Sequence, residues 1–500
     1  MKILLLLAVL LPLAGGAALF VRPAKSRAAR NAWVLSVCAL TSLLVLALLA
    51  MRAGSGQAPV LTLLPLAGDT LALALHMDGL SAVFAALVAL LWPLADVYAF
   101  EYMRREPREN SFFAFFTMTY GVVLGIAFAQ NLFTLYFFYE LLTLCTLPLV
   151  MHEQDGKARY AGKKYLLYSM SGAALAFISL MFVLANGRLD FVLGGSLAAG
   201  AASGRAELLR MAFVLGFFGF GVKAAVFPLH GWLPAAGVAP TPVTALLHAV
   251  AVVNAGLFAI LRLTYYSYGT QLLYGSWAQA VCLGFACFTI VFGSAMALRL
   301  RHLKRRLAYS TVSNLSYILL AGLLCTPAGL AAALTHMVVH SVLKITLFFC
   351  AGAILCQTEA LPCGPQEYVF QYQGYGRRMP LTFAVFTIAS LGLMGVPPFA
   401  GFASKWAIAA SAAATGLPLG YAGCFALALS AFLTGLYQLD VVITAYFPPR
   451  GVDPAAAEGV ADPGRNMKAV LVTLTALSLA LIAAMPAFSL WLGRLAAGAL

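Results

Sequence analysis

The chain has 500 residues, of which 62% are apolar and only 10% charged, against roughly 25% charged in soluble globular proteins. A soluble fold cannot bury that much apolar surface, so the composition excludes a water-soluble enzyme and points to an all-α polytopic membrane protein, one span using about 20 apolar residues. The net charge of +14 sits in short connections between apolar runs, which favours membrane lipid headgroups over nucleic acid as its counterpart.

Fourteen apolar segments follow in chain order: 3–20, 31–51, 72–100, 112–130, 132–150, 162–186, 207–230, 241–266, 272–298, 307–325, 328–356, 379–411, 417–447 and 468–493. The first is read as a retained helix, because Arg22, Lys25, Arg27 and Arg30 follow it at once. Connections after odd-numbered segments hold 21 basic residues and those after even-numbered segments hold 5. The positive-inside rule then predicts both termini outside and the odd connections cytoplasmic. The longest connections, near 187–206 and 448–467, are rich in Gly, Ala, Ser or Pro and read as flexible. Neither is long enough for a soluble domain.

Cofactor motifs are missing from this chain. The nine cysteines include no Cys-x-x-Cys pair, and none has zinc or iron–sulfur spacing. There is no phosphate-binding loop, and Gly216, Gly219 and Gly221 lie inside an apolar run in the wrong order for a dinucleotide turn. Nucleotide and electron chemistry is therefore expected to belong to partners.

Once loops and termini are set aside, three basic residues stand where lipid or packed helices should be, Lys223, Lys344 and Lys405, and Glu140 is the clearest acid. One such charge costs about 2.5–3.5 kcal/mol at the centre of a helix on insertion scales, and ionisable residues at that depth usually mark an ion path. A buried ion pair that only fixes packing is the plainer reading of Glu140 alone, but one acid cannot neutralise three lysines. A buried amine without a fixed partner is disfavoured in its charged form, which suits it to load and release protons. His336, His340 and Lys344 recur every four residues and so share one helix face. Imidazole passes protons through two nitrogens near neutral pH, and this stripe reads as a relay. His248 in another segment is a weaker candidate on its own.

Two segments carry breaks. Lys223 precedes Pro228 and Pro234, and Lys405 follows Pro397 and Pro398. Proline removes a backbone donor, and irregular backbone at membrane depth is tolerated where it lines a polar cavity or is buried in protein. The broken segments are numbers seven and twelve. That interval suggests two five-helix units in inverted orientation, with sites near the midplane. The chain divides accordingly into residues 1–111, a first repeat at 112–266, a second at 267–447, and a C-terminal part at 448–500.

These motifs together resemble the antiporter-like, proton-translocating subunits of respiratory complex I. The same likeness extends to energy-converting membrane hydrogenases, formate hydrogenlyase and multi-subunit sodium/proton antiporters. It rests on the Glu140 helix, Lys223 with Phe-Pro-Leu-His-Gly-Trp-Leu-Pro, the run ending in His248, the run from Lys304 to Asn314, the His336/His340/Lys344 stripe, and Gly-Val-Pro-Pro-Phe-Ala-Gly-Phe-Ala-Ser before Lys405. The resemblance implies that Glu140 pairs with Lys223, with Lys164 as a modulator. It implies that His248, His340 and His336 feed Lys344, and that Lys405 releases protons outward. Asn254 stands where some relatives carry a lysine. The sequence closes soon after the fourteenth segment, without the long lateral helix of the largest complex I paralogue.

The expected function is a proton-translocating membrane subunit of a redox-driven complex in the cytoplasmic or an equivalent energy-coupling membrane. Its expected partners are paralogous and other membrane subunits, together with peripheral redox subunits that hold the iron–sulfur, flavin or nickel groups. Membership of a multi-subunit sodium/proton antiporter is the alternative. A structural adaptor, whose charges only specify packing, is the third reading. A lysine relay offers no oxygen cage for sodium, which favours protons.

Overall fold

In a computed structural model, residues 1–55, 59–67, 71–197, 204–359, 361, 364–448 and 459–498 are described. The helices of nine or more residues are α1 (Lys2–Val21), α2 (Arg27–Ser55), α3 (Gly79–Tyr102), α4 (Glu109–Ala127), α5 (Leu132–Val150), α6 (Gly156–Asn186), α7 (Ala206–Gly221), α8 (Thr241–Ala249), α9 (Val252–Arg262), α10 (Trp277–Arg299), α11 (Leu303–Gly322), α12 (Pro327–Thr358), α13 (Pro380–Met394), α14 (Ala400–Ala414), α15 (Pro418–Tyr446) and α16 (Arg465–Ala496). Each of the fourteen apolar segments is occupied by helix. Among the described residues, eleven helical stretches are long and apolar enough to cross a membrane. The protein is a multi-pass integral membrane protein.

Local chemistry sets several helix starts. The side chains of Asp78, Asn131, Asp155, Ser276 and Thr326 each accept a hydrogen bond from the backbone N–H three residues on. Each cap satisfies a donor that the helix itself leaves free, worth about 1 kcal/mol. Burial then orders the helices. The α8–α9 stretch is 100% buried in its apolar window and α12 is 89% buried, whereas α16 is 28% buried. The interrupted α8–α9 and the His/Lys helix are therefore central, and α1, α2, α6, α15 and α16 present apolar side chains outward. Where helices meet closely, small residues permit it. A Cβ on Gly121 of α4 would stand 2.6 Å from the Val9 carbonyl oxygen of α1.

The structure departs from the sequence reading in four places. First, the third segment does not begin as helix at residue 72. Strands β1 (Leu61–Ala67) and β2 (Leu71–Leu75) form an antiparallel hairpin, and α3 starts only after the Asp78 cap. The Leu/Ala alternation of β2 is a period-two pattern, and Ala74 N–H is anchored by Thr134 Oγ1 at 2.9 Å. Second, segment eight is split between α8 and α9 at Val250 and Ala251. Third, residues 187–197 are tied down rather than loose. Phe191 N–H donates to the Gln130 carbonyl, and Val192 and Gly194 N–H donate to those of Tyr266 and Tyr265. Residues 198–203 and 449–458 of the two long connections lie outside the described residues. Fourth, Arg262, Lys304 and Arg306, counted with the connections, have buried side chains at 1%, 8% and 3% exposure.

Candidate proton pathway

Lys223 follows the end of α7, where the chain leaves the helix and turns through Pro228 and Pro234. Indole N–H of Trp232 donates to the Val222 carbonyl at 2.7 Å and holds that break. The Lys223 side chain is fully buried. Its Nζ donates to the Tyr139 carbonyl of α5 and lies 3.4 Å from the Tyr139 ring centroid. The Tyr139 hydroxyl in turn donates to the Phe220 carbonyl at 3.1 Å. One tyrosine thus binds both the lysine and the helix end beside it. Glu140, the next residue, is half-buried, and its Oε1 has no hydrogen-bond partner. Glu140 and Lys223 interact electrostatically but form no ion pair, so the implied pairing is open here. Lys164 does not reach Glu140. Its Cε lies 3.5 Å from where a Cβ on Gly231 would stand, and its charge acts on His230.

The second break has a similar logic. α13 ends at Met394 and α14 begins at Ala400, with Pro397 and Pro398 between them. Both breaks contain a cis X-Pro bond, at Phe227–Pro228 and Pro397–Pro398. Lys405 is buried, and its Nζ donates to the Leu393 and Met394 carbonyls at 2.7 and 3.0 Å. These are the free carbonyls of the broken helix end. The backbone passes so close here that a Cβ on Gly401 would collide with the Gly392 carbonyl oxygen.

The stripe on α12 lies between the two breaks. Lys344 is fully buried and donates to the Leu307 carbonyl of α11 at 3.1 Å. His336 and His340 have ring centroids 6.3 Å apart. His336 Nδ1 shares a hydrogen bond with Ser404 Oγ at 2.9 Å, which joins the stripe to the residue before Lys405. His248 ends α8 just before its break and packs on Phe348 at 4.7 Å. The charge of Lys344 acts on both His340 and His248. Both ring nitrogens of His248, both of His340 and Nε2 of His336 are buried without a protein partner. Buried polar atoms nearly always find a partner, protein or water. Five such imidazole nitrogens lie along α8 and α12.

Other residues here escaped the sequence reading. Tyr139 gave no signal beyond its place next to Glu140. Asp96, on α3, is fully buried beside the Cys38 thiol of α2; an acid inside an apolar run is the same signal that singled out Glu140. Asn254 Nδ2 donates to the Ala249 carbonyl and to Ser341 Oγ, each at 2.9 Å. It therefore ties the α8–α9 break to α12. On the side opposite the basic connections, Arg262 makes a two-pronged pair with Asp78, with Nη2–Oδ1 at 2.7 Å. Burial alone would raise the Asp78 carboxyl, but the Arg262 charge and hydrogen bonds hold it well below the usual carboxylate range.

Comparison with known proteins follows the same lines. Residues 129–433 match the NADH:quinone oxidoreductase/Mrp antiporter transmembrane family. The chain belongs to that family. Residues 64–113 match the N-terminus of chain 5 of NADH-ubiquinone oxidoreductase (complex I). Within the family, the chain is 31% identical over 399 residues to NADH-quinone oxidoreductase subunit L of Mycobacterium tuberculosis, covering 79% of this chain and 61% of that one. It is 32% identical over 395 residues to NADH-quinone oxidoreductase subunit N of Desulforudis audaxviator, covering 78% and 76%. It is 34% identical over 349 residues to one of the Na(+)/H(+) antiporter subunits of Alkalihalophilus pseudofirmus, covering 66% and 41%. The chain thus spans about three fifths of the subunit L relatives it matches. Its fold is that of a chain in the archaeal membrane-bound sulfane sulfur reductase, with TM-score 0.87, 23% identity and coverage of 100% and 98%. A chain of the Mrp complex from Dietzia sp. DQ12-45-1b is also similar, with TM-score 0.83, 22% identity and coverage of 99% and 97%.

Proposed function

We propose that this chain is a proton-translocating membrane subunit of a complex I-like, redox-driven assembly. The relay comprises Glu140 with Lys223, the histidines His248, His340 and His336 that feed Lys344, and Lys405 as the release site. The observation that carries this reading is the row of unpartnered imidazole nitrogens between buried lysines held by backbone carbonyls. A carbonyl accepts from an ammonium but does not neutralise it. Each lysine can therefore give up its proton without leaving an opposite charge stranded beside it.

Lys344 and Lys405 act on one another through charge. A proton arriving on one lysine lowers the proton affinity of the next, which orders release towards Lys405. Work has to be supplied, because one charge crossing 100 mV costs about 2.3 kcal/mol. That work comes from partner subunits, which hold any iron–sulfur, flavin or nickel groups. The two breaks, each with its lysine, support the division into 1–111, 112–266, 267–447 and 448–500 with inverted five-helix repeats. The distribution of basic residues supports termini on the outer side. As a test, His340→Leu replaces two unpartnered nitrogens with an apolar side chain. Proton uptake by the assembly should be lost while its subunits stay together, and unchanged uptake would overturn the reading.

The similarity to the sodium/proton antiporter of Alkalihalophilus pseudofirmus supports a second assembly for the same relay. Isolating the native complex in mild detergent and assaying its subunits, iron, nickel and flavin separates the two. Redox partners support the first reading, and a set of membrane subunits without such groups supports the second.

A further inference from the structure

The side bearing the basic connections opens into a cavity of about 480 Å³ lined by Glu106, Glu153, Glu367 and Lys304, among others. Lys304 is 8% exposed and makes no ion pair among the described residues. Its Nζ donates to the Gly237 and Ala239 carbonyls at 3.3 and 3.1 Å. Lys223, Lys344 and Lys405 likewise donate to backbone carbonyls and make no ion pair among the described residues. Gly237 and Ala239 lead directly into α8, the helix that ends in His248. On α11, Lys304 and Leu307 are three residues apart and share a face, roughly one turn or about 5 Å along the axis. Leu307 is the residue whose carbonyl holds Lys344. The charge of Lys304 also acts on His248.

We propose that Lys304 is the loading site of the relay, taking protons from the cytoplasmic cavity and passing them to His248. This rests on the relay reading above. The neutral amine of Lys304 takes a proton from hydronium supplied by the solution in the cavity, leaving water, and becomes the ammonium; it returns to the neutral amine as that proton passes, through water, to an unpartnered nitrogen of neutral His248, which is the imidazolium until it passes the proton on. Glu153, Glu367 and Glu106 act on Lys304 through charge without contacting it, and Asp155, Glu359, Arg105, Lys157, Arg301 and Arg305 share the cavity wall with them.

A purely structural lysine and a loading lysine respond oppositely to two substitutions. Lys304→Arg keeps a charge on the Gly237 and Ala239 carbonyls but cannot give up its proton. Lys304→His is a poorer anchor but titrates near neutral pH. Each is introduced into the native assembly, and acidification of inverted membrane vesicles is followed as the assembly turns over. Lys304→Arg should lower proton uptake at least about tenfold with all subunits retained, and Lys304→His should keep several times more uptake than Lys304→Arg. If Lys304→Arg fails to assemble, Lys304→Gln takes its place with the same expected loss. Uptake by Lys304→Arg or Lys304→Gln equal to the unaltered protein, or higher than that of Lys304→His, would overturn the proposal. His340→Leu in parallel separates the two levels. If it abolishes uptake while Lys304→Arg does not, the loading site is wrong and the relay stands; if neither matters, the relay itself fails.

Discussion

At Tyr139 a single side chain faces a buried ammonium at 3.4 Å and holds the end of α7 through its hydroxyl. A desolvated cation–π contact contributes about 2 kcal/mol. Removing the ring changes the balance between charged and neutral Lys223 by that amount. Tyr139→Leu should therefore slow proton uptake by about ten- to thirtyfold, whereas Tyr139→Phe, which keeps the ring, should slow it much less. Uptake rates of the two variants in one preparation check this. The Asp78–Arg262 pair is structural by contrast. Asp78→Asn leaves a buried guanidinium without its counter-charge and should cost about 3–5 kcal/mol, read as a lower unfolding temperature. Because the Asp78 carboxyl is held below its unfolded value of about 3.9, its stabilisation is present above that pH. It is lost only as pH falls towards the folded value. Stability should thus show no Asp78-dependent change between about pH 5 and 8, as a pH series on Asp78→Asn and the unaltered protein will show. Single charges in apolar runs made Lys223, Lys344, Lys405 and Glu140 legible from sequence. Lys304 and Arg262 were not, because each sits among or beside groups that read as a connection, and only packing shows that they turn inward.

At the level of elements, the breaks decide where the lysines stand. Lys405 is bound to the Leu393 and Met394 carbonyls, which are free only because α13 ends there. Gly401 lets α14 pass the Gly392 carbonyl. Gly401→Ala introduces a Cβ where no room exists and must push the two helix ends apart. Overpacking of this kind costs about 1–3 kcal/mol, and here it also separates Lys405 from its carbonyls. Proton uptake should fall by more than tenfold with only a modest loss of thermal stability, measured on the same sample. The prolines announced the breaks after α7 and α13. The break between α8 and α9 carries no proline at its centre, and its closure by Asn254 and Ser341 depends on α12, a partner distant in sequence. The β1–β2 hairpin was hidden for another reason: a short apolar run reads equally as strand or helix.

For the molecule as a whole, apolar periodicity and the placement of basic residues made the membrane architecture plain before any coordinates. The central helices are those with the fewest outward apolar side chains, and they carry the polar route. What sequence could not supply was the state of that route. Glu140 stands apart from Lys223, and both ring nitrogens of His248 and His340 and Nε2 of His336 have no hydrogen-bond partner in the protein. The proposed relay requires that the buried lysines carry protons rather than fix packing. The most direct test is the number of protons taken up per turnover by assemblies carrying Lys223→Ala or Lys344→Ala, with subunit content measured alongside. Both variants should assemble and take up none of the protons assigned to this chain. Normal uptake per turnover in both would contradict the account.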